Sequence, residues 1–542
     1  MQSLLLSKRL MQQAHEFALS GHQNTTPGQT LVEGVVPPPN DAFLVKFDQN
    51  SPEDPHNWRK RKWLVLLMVA NLSFGVGVAS SINSQAAPFA ASDLGVSEEV
   101  IALDTALFLI GFGVSSPFLA PLSELGGRNP VYFTTVLVFT LFQIGAALSP
   151  NIQARCILRF FSGMAGSTPL SNAGGTLSDV FSADERTIAF PIYAGIGLCA
   201  PALGPVIGGF IGESYLGYKW CDWVSAIWGG ATLVIILLFM PETLGSEILK
   251  LKARAIRQAT GDQRYETALE RLRRTSVTFK EAFSTAAQRP FLMLVKEPIV
   301  VAFCFYMSFV YIVLFGNLVA YPFIFEKPYG LSVGVTGLTF IPLALGILLV
   351  TGATPILAAQ RRRAVANTRR HLGPNAVPPP EERLRLAMFG TWLMPVSLFM
   401  AAWTTYRSAT IWPVLISQGL FGVSIMSCFI SSYQYIIDAY SQYAASALSV
   451  LTFVRYVVSG AAVMFTGPMF KTMGRHWAMT LLACLSTIFC FIPYLFAKTG
   501  PTIRSWSSYA PDVALEPVIV VKDKDIDVGL MQTRGTSTYL SR

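Results

Sequence analysis

Residues 121–128 read Pro121-Leu122-Ser123-Glu124-Leu125-Gly126-Gly127-Arg128, and this octet stands between two long apolar runs. Two consecutive glycines let the backbone turn where a Cβ would obstruct it, so one helix can pass directly into an antiparallel neighbour. Glu124 and Arg128 place opposite charges across that turn. They can pair with each other, or Glu124 can meet the positive end of a neighbouring helix, as a latch when this side of the protein closes. The flanking runs cover roughly 100–121 and 131–149, and an apolar helix needs about 20 residues to cross about 30 Å of hydrocarbon.

The same ruler finds four more runs before a polar break, at roughly 63–85, 154–176, 188–211 and 220–240. Six follow it, at roughly 298–322, 333–358, 384–405, 409–435, 444–470 and 477–497. The whole chain agrees: of 542 residues 52% are hydrophobic and 13% charged, and mean hydropathy is +0.46. Soluble chains carry about 25% charged residues, so several water-facing domains and a disordered chain are both excluded. The predicted fold is an all-α membrane protein of twelve transmembrane helices in two six-helix pseudo-symmetric bundles. Residues 58–241 and 298–498 form the bundles, 242–297 a cytoplasmic linker, and 1–57 and 499–542 cytoplasmic tails. Leu4 to Leu6 is too short for the core of a signal peptide, and the polar stretch around Pro37-Pro38-Pro39 is not expected to order by itself.

The net charge of +9 comes from 41 Lys+Arg against 32 Asp+Glu. Those cations fall between the spans, in the 242–297 linker (Lys250, Lys252, Arg254, Arg257, Arg264, Arg271, Arg273, Arg274, Lys280, Arg289 and Lys296) and in the loop carrying Arg361, Arg362, Arg363, Arg369, Arg370, Arg383 and Arg385. Basic loops stay on the cytoplasmic side, and an even number of spans then puts both termini there. No zinc-ligand spacing or RNA-binding signature accompanies the charge, so no nucleic-acid partner is expected. The seven cysteines form no CxxC pair and read as small buried residues. The histidines lie in tails, loops and helix edges. No metal-ligand cluster, catalytic triad or P-loop is present, so neither a cofactor nor ATP drive is expected. Two six-span halves around a polar linker fit a repeat-built secondary transporter, although hydropathy alone also admits a channel, a receptor or a membrane-embedded enzyme.

Span four contains Arg159-Phe160-Phe161-Ser162-Gly163-Met164-Ala165-Gly166. An arginine at this depth costs about 2.5–3.5 kcal/mol on insertion scales unless it faces protein or water, which points Arg159 at the central cavity. Arg155, one turn earlier, is expected to snorkel to the outer interface. Span five contains Gly195, Gly197 and Pro201, then Gly204-Pro205-Val206-Ile207-Gly208-Gly209. Pro205 bends the helix, and the glycines permit tight approach to a helix of the other half. Span six ends in Pro241-Glu242-Thr243-Leu244-Gly245, span one is preceded by Asp54-Pro55-His56-Asn57-Trp58 with Trp63, and span eleven is preceded by Asp438-Ala439-Tyr440.

In this order at these spans, the motifs resemble those of the major facilitator superfamily, and the Pro-Leu-Ser-Glu…Gly-Arg form is similar to the fungal twelve-span drug:proton antiporters. Ala120, Asn129 and Ala200 depart from that pattern, and the first two imply a weaker latch. The resemblance covers roughly residues 51–510. It implies a proton-coupled secondary active exporter working by alternating access, with drugs, polyamines, organic acids and secondary metabolites among the family's substrates. It implies a part in proton coupling for Arg159, gating by Glu124, Gly127 and Arg128, and a seal against proton leak at Gly204, Pro205, Gly208 and Gly209.

Asp104 is the only carboxylate clearly inside a predicted span and is the expected proton carrier, although external water can reach its depth. Arg455, near the middle of span eleven, either meets substrate or braces helices. Asn83, Gln85, Asn172, Asn317, Gln434 and Tyr433 lie in spans and are candidates to line the substrate path together with Arg159 and Arg455. One buried acid disfavours a polycation, and two arginines suit an organic anion such as a di- or tricarboxylate, or a neutral amphiphile. The expected partners are a small-molecule substrate, protons and the lipid bilayer. The chain is expected to be a monomer in the plasma membrane, with the vacuolar membrane the alternative. An importer or uniporter of the same fold and a non-transporting nutrient sensor are the competing readings.

Overall fold

A computed structural model of the chain describes residues 6–15, 43–48, 51–271, 279–373, 376, 378–406, 410–440, 443–507 and 509. Pro37-Pro38-Pro39, Arg273, Arg274 and the tail from Ala510 onward lie outside the described residues.

Ten helical runs among the described residues are long and apolar enough to cross a bilayer, and they belong to twelve crossings. Spans one to three are Arg61–Ser81, Glu98–Gly126 and Arg128–Ala147. Span four escapes a length criterion because it is two helices, Ile152–Gly166 and Thr168–Val180, meeting at Ser167. Pro169 stands in the first turn of the second piece, where its missing N–H would have had no partner anyway. Spans five to ten are Ala183–Glu213, Lys219–Phe239, Pro298–Tyr329, Val333–His371, Pro380–Thr404 and Trp412–Tyr440.

The last run, Ala444–Arg504, holds two crossings. Gly474 interrupts it at φ 73° and ψ 161°, a backbone region that a Cβ makes costly. Before Gly474 the run lies antiparallel to span two. Gly113 packs on the Phe453 carbonyl, Gly460 on the Ala106 carbonyl, and Lys471 pairs with Glu99. After it the chain runs back along span nine, with Arg475 Nε bonded to Thr405 O (3.2 Å), Cys490 Sγ to Thr391 O (3.1 Å) and Tyr494 OH to Met388 O (2.8 Å).

The packing repeats with an offset of six. Span one packs on five, two on four and three on six, and in the second half seven packs on eleven, eight on ten and nine on twelve. The seams between the halves, two against eleven and five against eight, exchange under the same shift. Residues such as Leu141, Ile227, Leu349, Phe389 and Ile488 present an exposed apolar exterior, which suits lipid rather than water.

One end of the bundle gathers Arg128, Arg361, Arg383 and the described parts of the 242–297 segment; we call it the basic end, and its opposite the far end. Here the helix over 6–15 places Leu6, Leu10 and Ala14 at a four-residue spacing against Leu249, Ala253 and Ile256 of the linker helix Gly245–Thr260. Leu44 bridges Glu266 in parallel. These parts of the N-terminal segment are therefore ordered, because their apolar stripe finds a matching one on the linker. Trp63 is partly exposed, as an interface residue should be, whereas Trp58 is buried with its Nε1 bonded to Pro52 O (3.0 Å).

Candidate functional site

Four ionised side chains from three spans meet inside the first half. Arg155 and Arg159 sit four residues apart on span four and so share one helix face. Asp104 comes from span two and Asp222 from the start of span six. Arg155 Nε lies 3.1 Å from Asp104 Oδ1 and its Nη1 2.7 Å from Asp222 Oδ2. Arg159 Nε lies 3.4 Å from Asp104 Oδ2 and its Nη1 3.9 Å from Asp222 Oδ1. Asn83, in the turn that follows span one, donates from its Nδ2 to both acids, at 2.9 Å to Asp104 and 3.0 Å to Asp222. Arg159 also donates to Ala79 O (2.8 Å) and Gln143 Oε1 (3.4 Å).

Two cations balance two anions in this dry cluster, as buried charge requires. Three expectations change with it. Asp104 is 1% exposed rather than open to external water, and Arg155 is 2% exposed rather than snorkelling. Asp222 is a second fully buried carboxylate in the cluster, and Gln143 is a further partner; neither is among the residues expected from the sequence. The signal is present in the chain: two arginines one turn apart in an apolar span demand two acids, and Asp222 lies within the run at 220–240.

Arg455 has a different environment. It is 0% exposed, with its guanidinium carbon 4.4 Å from the centre of the Tyr311 ring, 5.1 Å from Tyr456, and 5.2 Å from each of Phe429 and Tyr433. None of its three nitrogens has a well-formed hydrogen bond, and no carboxylate lies within ion-pair distance of it among the described residues. The Tyr433 hydroxyl acts on it through charge and through a hydrogen bond too poorly aligned to satisfy it, while bonding to Thr452 Oγ1 (3.2 Å). A desolvated cation–π contact contributes about 2 kcal/mol, and burying an unpaired charge costs more than several of these recover. Arg159 and Arg455 thus do not form the paired-arginine clamp expected for a di- or tricarboxylate, because Arg159 is already neutralised.

Rings from both halves close the centre. Phe112 of span two lies 4.2 Å from Tyr456 of span eleven, and Phe190 of span five stacks on Tyr433 (5.7 Å) and Phe429 (6.3 Å) of span ten. They leave a space of about 30 Å³ lined by Ser73, Tyr193 and Tyr311 among others. Larger cavities lie toward either end. One of about 480 Å³ at the far end is lined by Asn83, Glu98, Glu99, Thr105, Glu326 and Lys471. One of about 380 Å³ at the basic end is lined by Glu124, Arg128, Asp179, Arg186, Arg383 and Gln434.

The remaining candidates divide between these places. Tyr433 belongs to the central ring cluster. Gln85 is buried and reaches across the seam to Leu318 O (3.5 Å). Asn172 and Asn317 are buried, and Asn172 Nδ2 has no hydrogen-bond partner. Gln434 is not with them: its Oε1 accepts from Arg383 Nη1 (2.9 Å) at the basic end. Among the described residues no three His, Cys, Asp or Glu side chains converge as metal ligands.

At the turn, Arg128 does not pair with Glu124. Its Nε lies 3.0 Å from Asp179 Oδ2 of span four and its Nη1 2.6 Å from Ser123 Oγ, while Glu124 acts on it as a nearby charge without a direct ion pair. The helix that starts at Arg128 is capped by Glu242. One oxygen accepts from the backbone N–H of Arg128 (2.9 Å), Thr243 (3.0 Å) and Leu244 (3.0 Å), and the other from that of Asn129 (3.2 Å). Burial pushes the Glu242 carboxyl above its ordinary value, and the four N–H groups oppose that. Gly127, at φ 93°, sits under this carboxylate, where a Cβ would fall 2.9 Å from Oε2.

The span-five glycines do not all face the other half. Gly204 packs on Ser81 and Gly208 on the Ile82 carbonyl, both of span one. Gly209 faces the Val333 carbonyl at 2.9 Å from its would-be Cβ, and Gly337 of span eight packs on the Pro205 carbonyl. The motif thus serves two contacts at once, one inside the first half and one on the seam.

Comparison with known proteins accords with this architecture. The chain is 40% identical over 474 residues to the "MFS-type transporter kojT" of Aspergillus flavus, covering 86% of this chain and 83% of that protein. It is 35% identical over 499 residues to the "MFS-type efflux pump MFS2" of Trichophyton rubrum, covering 90% and 82%. The crystal structure of the human organic anion transporter MFSD10 (TETRAN) has the same fold at a TM-score of 0.51 and 15% identity, over 82% of this chain and all of that one. The family model described as "Major Facilitator Superfamily" matches residues 69–463. The chain is a multi-pass membrane protein that belongs to the major facilitator superfamily and resembles fungal transporters within it.

Proposed function

We propose that this transporter is a proton-coupled exporter of small organic molecules, whose substrate is an organic acid, a drug or a secondary metabolite. It works by alternating access, as a monomer in the plasma membrane with its basic end and both termini in the cytoplasm. The halves that rock are 58–241 and 298–498, joined by the linker 242–297. The observation that carries this reading is the position of Asn83, which lines the far-end cavity and also donates to both Asp104 and Asp222. It sets the buried acids one side chain away from the far-end cavity, so that a small parting of the helices there lets water bring a proton to Asp104.

The coupling follows from charge balance. Protonating Asp104 leaves two arginines facing one carboxylate, and an uncompensated charge in a dry site costs several kcal/mol (about 3–5 when one partner of a buried pair is removed). The protonated cluster therefore favours whichever arrangement brings it water, and the ionised cluster favours the closed one. A proton thereby biases a two-state element, which is what coupling requires. Asp104 is the better carrier because Ile101, Ala102 and Thr105 on its own helix line the far-end cavity, and that helix forms a seam with span eleven. Two features support export over import: Gly209 and Pro205 pack tightly on span eight, and a 35%-identical relative is named an efflux pump.

The test uses inside-out membrane vesicles and a panel of labelled organic acids and amphiphiles. The reading expects accumulation driven by an acid lumen, independent of ATP and abolished by a protonophore. Equilibrating flux with no pH dependence would overturn the coupling, and binding without flux would leave a sensor.

A further inference from the structure

We propose that Arg455 is the anion-binding residue of the central site, and that its ligand is a planar aromatic monoanion, such as an aromatic carboxylate or enolate. This rests on the transporter reading above, because the halves must part for such a ligand to enter.

Arg455 is fully buried, carries a permanent charge and has three nitrogens without a well-formed hydrogen bond. Buried polar groups are ordinarily paired, and an exception calls for an explanation. The guanidinium is a planar fork matched to two oxygens of one anionic group. One uncompensated cation calls for one negative charge, since Arg155 and Arg159 are already balanced by Asp104 and Asp222. A tricarboxylate would bring in two further charges with nothing to meet them.

The second observation is the wall around that charge. Tyr311, Phe429, Tyr433 and Tyr456 surround the guanidinium. Three of these rings are closed off by Phe112 and Phe190 from the opposite half. These cross-seam pairs separate when the halves rock. An aromatic ligand can then take the place of Phe112 or Phe190 against the same ring faces, while its anionic group completes Arg455. The empty centre of about 30 Å³ has room for no more than about one water, so ligand entry and half separation are one event.

The experiment uses the purified full chain in nanodiscs and four probes: benzenesulfonate, whose charge does not vary with pH, its neutral analogue methyl phenyl sulfone, its ring-free analogue methanesulfonate, and citrate. The expected result is a melting temperature raised by benzenesulfonate, with at least ten-fold weaker binding of the sulfone and no response to citrate. Arg455→Met is expected to melt no lower than the native chain, since it removes an unpaired buried charge, and to lose the benzenesulfonate response. Tyr433→Leu, which keeps the charge, is expected to bring benzenesulfonate affinity close to that of methanesulfonate. No response of the native chain to millimolar benzenesulfonate overturns the proposal. So does a response that survives in Arg455→Met, or an Arg455→Met chain that melts several degrees lower, which would make Arg455 a brace. Gradient-driven flux of other compounds without benzenesulfonate binding overturns this site and leaves proton coupling standing. Binding without gradient-driven flux supports the site and removes the coupling.

Discussion

Arg155 Nη1 lies 2.7 Å from Asp222 Oδ2, with both side chains buried in the first half. The pair joins span four to span six and completes a cluster that would otherwise hold two cations against Asp104 alone. It also separates the work of the two acids. Asp222 sits on a span that packs on spans one and three of its own half, whereas Asp104 sits on a span that forms a seam with the other.

Asp222→Asn is therefore expected to be chiefly a stability variant. Leaving Arg155 under-compensated in a dry site should cost about 3–5 kcal/mol, read as a markedly lower melting temperature of the purified protein. Asp104→Asn should lower it less, because the proposed cycle itself passes through a neutral Asp104. Equal losses, or the reverse order, would contradict this division.

The span-five glycines separate in the same way. Gly208→Ala drives a methyl into the Ile82 carbonyl, and backbone cannot move aside as a side chain can. Overpacking of this kind costs about 1–3 kcal/mol, and the expected readout is reduced yield and melting temperature. Gly209→Ala presses on the Val333 carbonyl across the seam. It should leave the first half intact and increase labelling of a cysteine placed at Ala102 in the far-end cavity. Unchanged labelling with a large loss of stability would place Gly209 in ordinary packing.

Glu242→Gln tests the cap on span three. The variant keeps one oxygen for the Arg128, Thr243 and Leu244 N–H groups, but turns an amide nitrogen toward the Asn129 N–H. One orphaned buried donor costs about 1–3 kcal/mol, and Glu242→Ala should cost more, since it orphans all four. Denaturation of the two variants side by side measures the difference. A native-like Glu242→Ala would show that the turn is held elsewhere.

Most of the architecture was legible because lipid imposes one strong rule on the chain. Spans of about 20 apolar residues emerge from hydropathy alone, and the Gly126-Gly127 turn has a local cause that can be read locally. Even span four, broken at Ser167, kept its apolar length. What could not be read was which side chains from distant spans converge. Asp222 stands three residues into its helix beside Lys219 and Trp220, where it looks like an interface residue. Only the packing of spans one, two, four and six carries it to Arg155. Arg128 choosing Asp179 over Glu124 is of the same kind, as is Gln434 meeting Arg383. Arg455 was marked as a candidate by its depth, but its cage needs Tyr311 and Phe429 from two other spans.

The central claim, that Asp104 carries the proton that drives transport, is tested most directly by Asp104→Asn in proteoliposomes. The probe is a compound that the native chain accumulates against its gradient. The account predicts that pH-driven accumulation disappears while counterflow exchange of the same compound persists, because the halves still rock around bound substrate. Gradient-driven accumulation in Asp104→Asn within two-fold of native, with the same pH dependence, would contradict it.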